Sequence, residues 1–131
     1  MARPSFLSVV LRDAERPHAL VNSRNGRVVA SQVELALDSK SRRRGLLGRE
    51  GLDAGAALVI APCSAVHTFS MRFAIDVVFV ARDGRVVKTY AGVERGRIAF
   101  GLGAFAAIEL AAGAVAPSET ARGDVLQLER R

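Results

Sequence analysis

RFAIDVVFVARDGRVVKTYAGV, residues 72–93, is the stretch of sequence that decides the fold. Two runs rich in β-branched and aromatic residues flank Asp83-Gly84, a dipeptide that supplies the positive φ angles of a tight two-residue turn. We therefore predict an antiparallel β-hairpin with this dipeptide at its tip. Counting back from the turn gives three cross-strand pairs: Val80 with Val87, Val78 with Thr89 and Asp76 with Ala91.

Asp76 is the one charged residue in the first run after Arg72. Both faces of the predicted hairpin are apolar, so we expect both faces to be buried. A carboxylate is costly to bury without partners. It therefore accepts hydrogen bonds, pairs with Arg72 or serves a site, and the structural and functional interpretations are equally open. The backbone N–H groups of residues 63–70 are the predicted partners, which would tie that loop to the hairpin.

Shorter elements are predicted on either side of the hairpin. Alternating or fully apolar runs predict strands over four segments, with a fifth at the start of the chain: residues 27–37, 56–61, 105–110, 125–128 and 6–11. A helix is predicted from Asp38 or Ser39 to about Gly48, and one helical turn over residues 117–120. Residues 17–22 are predicted as a connection. Together these elements predict a mainly β protein, a compact antiparallel barrel or sandwich with one or two short helices.

Length and composition limit the class of protein. The 131 residues, half of them hydrophobic, predict one domain spanning the whole chain. Because Cys63 is the single cysteine and there are two histidines, we expect no disulfide, no metal site and no cofactor. The net charge of +6 raises the hypothesis of an acidic partner.

No membrane or export segment is predicted. Residues 6–11 are too short for the apolar core of a signal peptide. Residues 98–117 are long enough to span a bilayer, but Glu109 and three glycines interrupt them, so we predict two core segments there. The expectation is a cytoplasmic protein.

Residues 63–76 form the candidate site, with Glu109 as a possible partner from a later part of the chain. The candidate ligand-binding residues are His67, Thr68, Met71, Arg72, Asp76 and Glu109. Asp76 and Glu109 would make a carboxylate pair if they lie close together. Cys63 and His67 would make a nucleophile pair, but a buried inert cysteine is the favoured interpretation.

Several blocks of sequence resemble domain-of-unknown-function family 192. The blocks are RGLLGRE at 44–50, HTFSMRFAIDVVF at 67–79, DGRVV at 83–87, IEL at 108–110 with Gly113, and Gly123-Asp124. The resemblance covers about residues 33–129, and residues 1–26 are an extension or an extra strand. It implies a mostly β fold found in bacteria and archaea, without an established activity, substrate or cofactor. Ala74 departs from the proline usual in the family, and Ser70 from its aromatic residue.

Three functional hypotheses remain. The leading one is a non-enzymatic module that binds a small molecule or a protein in a pocket near residues 63–76. The alternative is a small hydrolase or transferase that uses His67 with Asp76 or Glu109 as acid or base. The third is weak, salt-sensitive nucleic-acid binding by surface arginines, which include Arg42, Arg43, Arg44 and Arg49 among others.

Overall fold

The computed structural model describes residues 5–12 and 16–131, which form ten short strands and two short helices. In chain order the elements are α1 (Ser8–Arg12), β1 (His18–Asn22), β2 (Val28–Ala30), β3 (Gln32–Ala36), α2 (Ser39–Arg44), β4 (Ala56–Ile60), β5 (Ala65–His67), β6 (Ile75–Val80), β7 (Val86–Val93), β8 (Ile98–Phe100), β9 (Ala106–Ala111), a 3-10 turn (Ala116–Ser118) and β10 (Leu126–Arg130).

A five-stranded sheet, in the order β3-β4-β9-β6-β7, lies at the centre of the molecule. Only β3 and β4 are parallel; the other neighbours are antiparallel. A three-stranded sheet, β10-β1-β2, packs on one face, and a two-stranded ribbon, β5-β8, lies on the other with α2. The sheets do not close into a barrel, so the fold is mainly β and sandwich-like, as the sequence predicted.

Two separate apolar clusters lie on the two faces of the central sheet. Val78 and Ile108 belong to the cluster shared with the three-stranded sheet, whereas Val77 and Phe79 belong to the cluster beneath α2 and the ribbon. All six residues of β6 are consequently buried, as predicted. The expectation for β7 is wrong, because β7 is an edge strand and most of its side chains are partly or fully exposed.

The predicted hairpin is present, but its turn has three residues rather than two. The Gly84 N–H donates to the Ala81 carbonyl (2.9 Å), and the Ala81 N–H donates to the Arg85 carbonyl (2.8 Å). Gly84 has a φ of 91°, as expected of a residue that follows a turn in a three-residue hairpin loop. The Val78–Thr89 pair is confirmed, whereas bulges shift the other two predicted pairs. Val80 lies opposite Val86, and no residue of β7 lies opposite Asp76 in the register of the two strands.

Three predictions for the first third of the chain are wrong. Residues 6–11 contribute to helix α1, since the buried positions 6, 7 and 10 have helical spacing. Residues 17–22 contain strand β1. Residues 27–37 form two strands in different sheets, because the chain bends at Ser31, where the N–H groups of Ser31 and Gln32 both donate to the Gly55 carbonyl.

The later elements follow the predictions more closely. Strands β4, β9 and β10 are confirmed. Residues 98–117 contain two strands, but the prediction of two core segments is wrong for the first, since Ile98 and Phe100 of β8 are exposed and only β9 is buried. The Asp38 side chain accepts the Ser41 N–H (2.8 Å) and so caps α2, which ends at Gly45 rather than near Gly48. Among residues 5–12 and 16–131, no helix has the length and apolar character needed to cross a bilayer.

Candidate functional site

A cavity of about 700 Å³ lies between α2 and the segment that leads into β5. Sixteen residues line it: Ser39, Arg42, Arg43, Arg44, Gly45, Leu46, Leu47, Ile60, Pro62, Cys63, Ser64, Ala65, Val66, His67, Met71 and Glu109. Its volume falls within the range of small-molecule sites, about 300–1,000 Å³.

Glu109 is the buried acid of this cavity. It lies on the central strand β9, opposite Leu58 of β4 and Val77 of β6, and on the sheet face that carries the cluster beneath α2. Its side chain is only 3% exposed, and its Oε1 atom has no hydrogen-bond partner among the described residues. Gly45 at the end of α2 leaves room above it, since a β-carbon there would lie 3.5 Å from Oε1.

Burial also controls the protonation of Glu109. Loss of solvent raises its pKa from the ordinary 4.5 to about 7, and the positive charge of Arg49 opposes this only in part. Near neutral pH the carboxyl group therefore exists in both forms, and its protonated form donates a hydrogen bond.

Three consecutive arginines form the wall contributed by α2. Arg42 spans the wall, because its guanidinium donates to the Asp38 carbonyl (3.4 Å) and to the Pro62 carbonyl (3.2 Å). Among the described residues the Arg43 guanidinium has one partner, the Ser39 carbonyl, to which its Nε donates (3.3 Å). The Arg44 carbonyl accepts the Leu47 N–H (2.8 Å), but its guanidinium makes no hydrogen bond or ion pair with the described residues. Arg43 and Arg44 are exposed to solvent, and all three arginines line this concave site.

Cys63 and His67 line the cavity without forming a nucleophile pair. The Cys63 thiol donates to the Ala65 carbonyl (3.1 Å), and burial raises its pKa, which keeps it in the unreactive thiol form. The His67 ring stacks on Phe69 with ring centroids 5.2 Å apart. In the described part of the chain, no group of three or more acidic, histidine or cysteine side chains is placed to hold a metal ion.

The structure brings together only half of the residues predicted from sequence. His67, Met71 and Glu109 line the cavity, whereas Thr68 and Arg72 do not. The buried Thr68 hydroxyl donates to the Glu94 carbonyl (2.6 Å) and accepts the Arg97 N–H (2.9 Å), so it fixes the loop before β8. Arg72 is exposed and pairs with Glu50 (3.4 Å).

Asp76 lies on the opposite face of the sheet from Glu109. It is opposite Leu110, and Glu109 is opposite the next residue, Val77, so the two carboxylates point to different faces. The hypothesis of a carboxylate pair is therefore wrong.

The predicted partners of Asp76 are wrong as well. Its carboxylate accepts the N–H groups of Gly92 (2.8 Å), Gly113 (3.1 Å) and Val115 (3.2 Å), and none from residues 63–70. Asp76 thus joins β7 to the turn after β9. This role is structural, and it explains how a charged side chain that is 2% exposed is tolerated between two sheets.

The ligand-binding residues predicted from sequence did not include Arg42, Arg43 and Arg44, which line the cavity. They are about twenty residues from Cys63 in sequence, and the parallel pairing of β3 with β4 brings the start of α2 to the end of β4. The sequence shows a run of basic residues shortly after the capping Asp38, which predicts a basic helix. It does not show which surface that helix packs against.

The model of the domain-of-unknown-function family 192, described as an uncharacterised conserved protein ("Uncharacterized ACR"), matches residues 20–128. A proposed transcription regulator from Sinorhizobium meliloti is similar in structure, with 22% identity and a TM-score of 0.75 over 86% of this chain and 92% of that one. A protein of unknown function from Novosphingobium aromaticivorans is 21% identical, with a TM-score of 0.73 over 85% and 83% of the two chains. No curated protein matches significantly. At these identities the structural likeness concerns the fold alone.

Proposed function

We propose a function for this chain from the geometry of its cavity, on the premise that it belongs to the domain-of-unknown-function family 192. The chain is a binding module, and its ligand is a small molecule that occupies the cavity beneath α2. The observation that carries this proposal is Glu109, a buried carboxyl group that lines the cavity and has one oxygen without a hydrogen-bond partner in the part of the chain that the structure describes.

The two buried acids on neighbouring strands differ in a way that supports the proposal. Asp76 receives three backbone hydrogen bonds. Oε1 of Glu109 receives none from the described residues, although the side chain is buried to nearly the same extent. Leaving a buried polar atom without a partner costs about 1–3 kcal/mol. A ligand that forms a hydrogen bond with Oε1 recovers that cost on binding. We therefore attribute Glu109 to ligand binding rather than to the stability of the fold.

Acid–base catalysis is the second candidate function. The pKa of Glu109, about 7, suits proton transfer near neutral pH, and His67 lines the same cavity. Binding is the better-supported function because no described residue orients either side chain by a hydrogen bond. Asp76, the other acid considered for this role, lies on the far face of the sheet.

Nucleic-acid binding stays a prediction of weak, salt-sensitive association. Arg42, Arg43 and Arg44 line a concave cavity, and Arg49 is paired with Glu34 (2.7 Å), so these residues do not offer one flat basic face. The description of the Sinorhizobium protein as a transcription regulator belongs to that protein, and an identity of 22% does not transfer it.

A fragment screen followed by two-dimensional amide NMR tests the binding function. We expect hits to shift the signals of cavity residues such as Gly45, Ala65 and His67. Ala65→Trp places an indole at the cavity wall and should abolish these shifts. Ala91→Trp is the matched control, because Ala91 is also an exposed strand alanine but does not line the cavity. Hits that persist unchanged in Ala65→Trp would contradict the proposal.

A further inference from the structure

We propose that the ligand is an apolar small molecule that carries an oxyanion, either a carboxylate or a phosphate ester. The inference rests on the proposed function of the cavity and adds the chemical class of its occupant. The observations that support it are the arginine wall, the apolar floor and the hydrogen-bonding atom of Glu109.

The arginine wall favours an anion. Three permanent positive charges lie around one cavity, on Arg42, Arg43 and Arg44, and Glu109 is the one acidic side chain among the described residues that line it. Because burial holds part of the Glu109 population in the neutral form near neutral pH, positive charge predominates there. The arginine wall would repel a cationic ligand. A neutral ligand would leave the charges of the arginine wall without a partner of opposite charge.

The guanidinium groups are also available to a ligand. The guanidinium of Arg44 has no hydrogen bond or ion pair with described residues. The terminal nitrogens of Arg43 have none with them either, since its Nε is the atom that donates to Ser39. Arg42 is held across the wall by its bonds to Asp38 and Pro62. Planar guanidinium groups bind carboxylates and phosphates through paired hydrogen bonds, which gives an oxyanion preference over other polar groups.

The floor of the cavity suits an apolar body. Four buried hydrophobic side chains line it: Leu46, Ile60, Val66 and Met71. A free inorganic anion would leave this surface in contact with water, whereas an aromatic or aliphatic body covers it. Glu109 then completes the site: its protonated form donates a hydrogen bond to a ligand oxygen, and its ionised form accepts one from a ligand N–H or O–H group.

A charge-matched ligand series tests the inference by calorimetry. The probes are phenylacetate, phenyl phosphate, neutral phenylacetamide and cationic phenethylamine, which share a phenyl body. We expect one or both anions to bind at least about tenfold more tightly than the amide, the difference that a charge-assisted hydrogen bond makes. The tighter of the two anions shows whether the site serves carboxylates or phosphate esters.

Variants separate the arginine wall from general charge effects. Arg43→Gln combined with Arg44→Gln should weaken anion binding at least about tenfold and leave amide binding unchanged. Arg122→Gln is the control, because Arg122 is exposed and does not line the cavity. Thermal melts establish that each variant is folded.

The outcomes distinguish this inference from the function on which it rests. If the amide or the amine binds in the cavity as tightly as both anions, the ligand class is wrong while the binding function stands. The class is also wrong if the double arginine variant retains full anion affinity. If no probe and no screened fragment binds in the cavity, both proposals fail.

Discussion

Asp76→Ala should lower the free energy of unfolding by about 2–4 kcal/mol, because it removes the acceptor shared by three partly buried backbone N–H groups. The donors are the N–H groups of Gly92, Gly113 and Val115, which come from β7 and from the turn after β9. Such a loss is a large share of the 5–15 kcal/mol that stabilises an ordinary domain. Urea denaturation of the variant beside the parent protein measures it.

Two further variants make this prediction specific. Asp76→Asn keeps one acceptor oxygen but turns an amide N–H₂ toward a backbone donor. Its free energy of unfolding should therefore lie between those of the parent and Asp76→Ala. Asp53→Ala is the control, since the Asp53 side chain is exposed, and its unfolding free energy should stay within about 0.5 kcal/mol of the parent value. An Asp76→Ala midpoint equal to that of Asp53→Ala would mean that the carboxylate does not anchor the two segments.

Glu109→Gln should make the protein more stable at pH 8 by about 2–3 kcal/mol and leave it nearly unchanged at pH 4. The pKa of Glu109 in the folded protein, about 7, lies above its ordinary 4.5. Between these values the folded state binds more protons than the unfolded state, so the stability of the parent falls as pH rises through this window. Glutamine cannot ionise and removes that loss.

Denaturant melts between pH 4 and pH 8 test this prediction. Glu129→Gln is the matched control, because Glu129 is exposed and should leave the slope of stability against pH as it is in the parent. Parallel curves for Glu109→Gln and the parent would show that Glu109 ionises in the folded protein as it does in the unfolded chain.

Local patterns were sufficient to predict the elements that depend on neighbouring residues. The β-branched and aromatic runs that flank Asp83-Gly84 predicted the hairpin, and Asp38 marked the start of α2. The burial of Asp76 also followed from its apolar neighbours alone. The hairpin and the helix start depend on interactions between residues close in sequence. The burial of Asp76 depends on the apolar side chains beside it in the strand.

The partners of the buried acids could not be predicted in the same way. Strand β9 pairs with β6 in a register that places Glu109 opposite Val77. This register decides that Glu109 and Asp76 lie on different faces of the sheet. That register is set between strands whose paired residues are 26 to 36 positions apart in sequence. The error at residues 27–37 is of the same kind, because Ser31 bends toward Gly55, a contact that the alternation of the segment does not record.

The most direct test of the central claim is the ¹³C NMR signal of the Glu109 side-chain carboxyl, followed as the tightest-binding member of the ligand series is added. We predict that this signal moves and saturates with the same dissociation constant that calorimetry gives, and that it stays still in Ala65→Trp. A ligand that binds the parent protein while the Glu109 carboxyl signal remains unchanged would contradict the assignment of this cavity as the binding site.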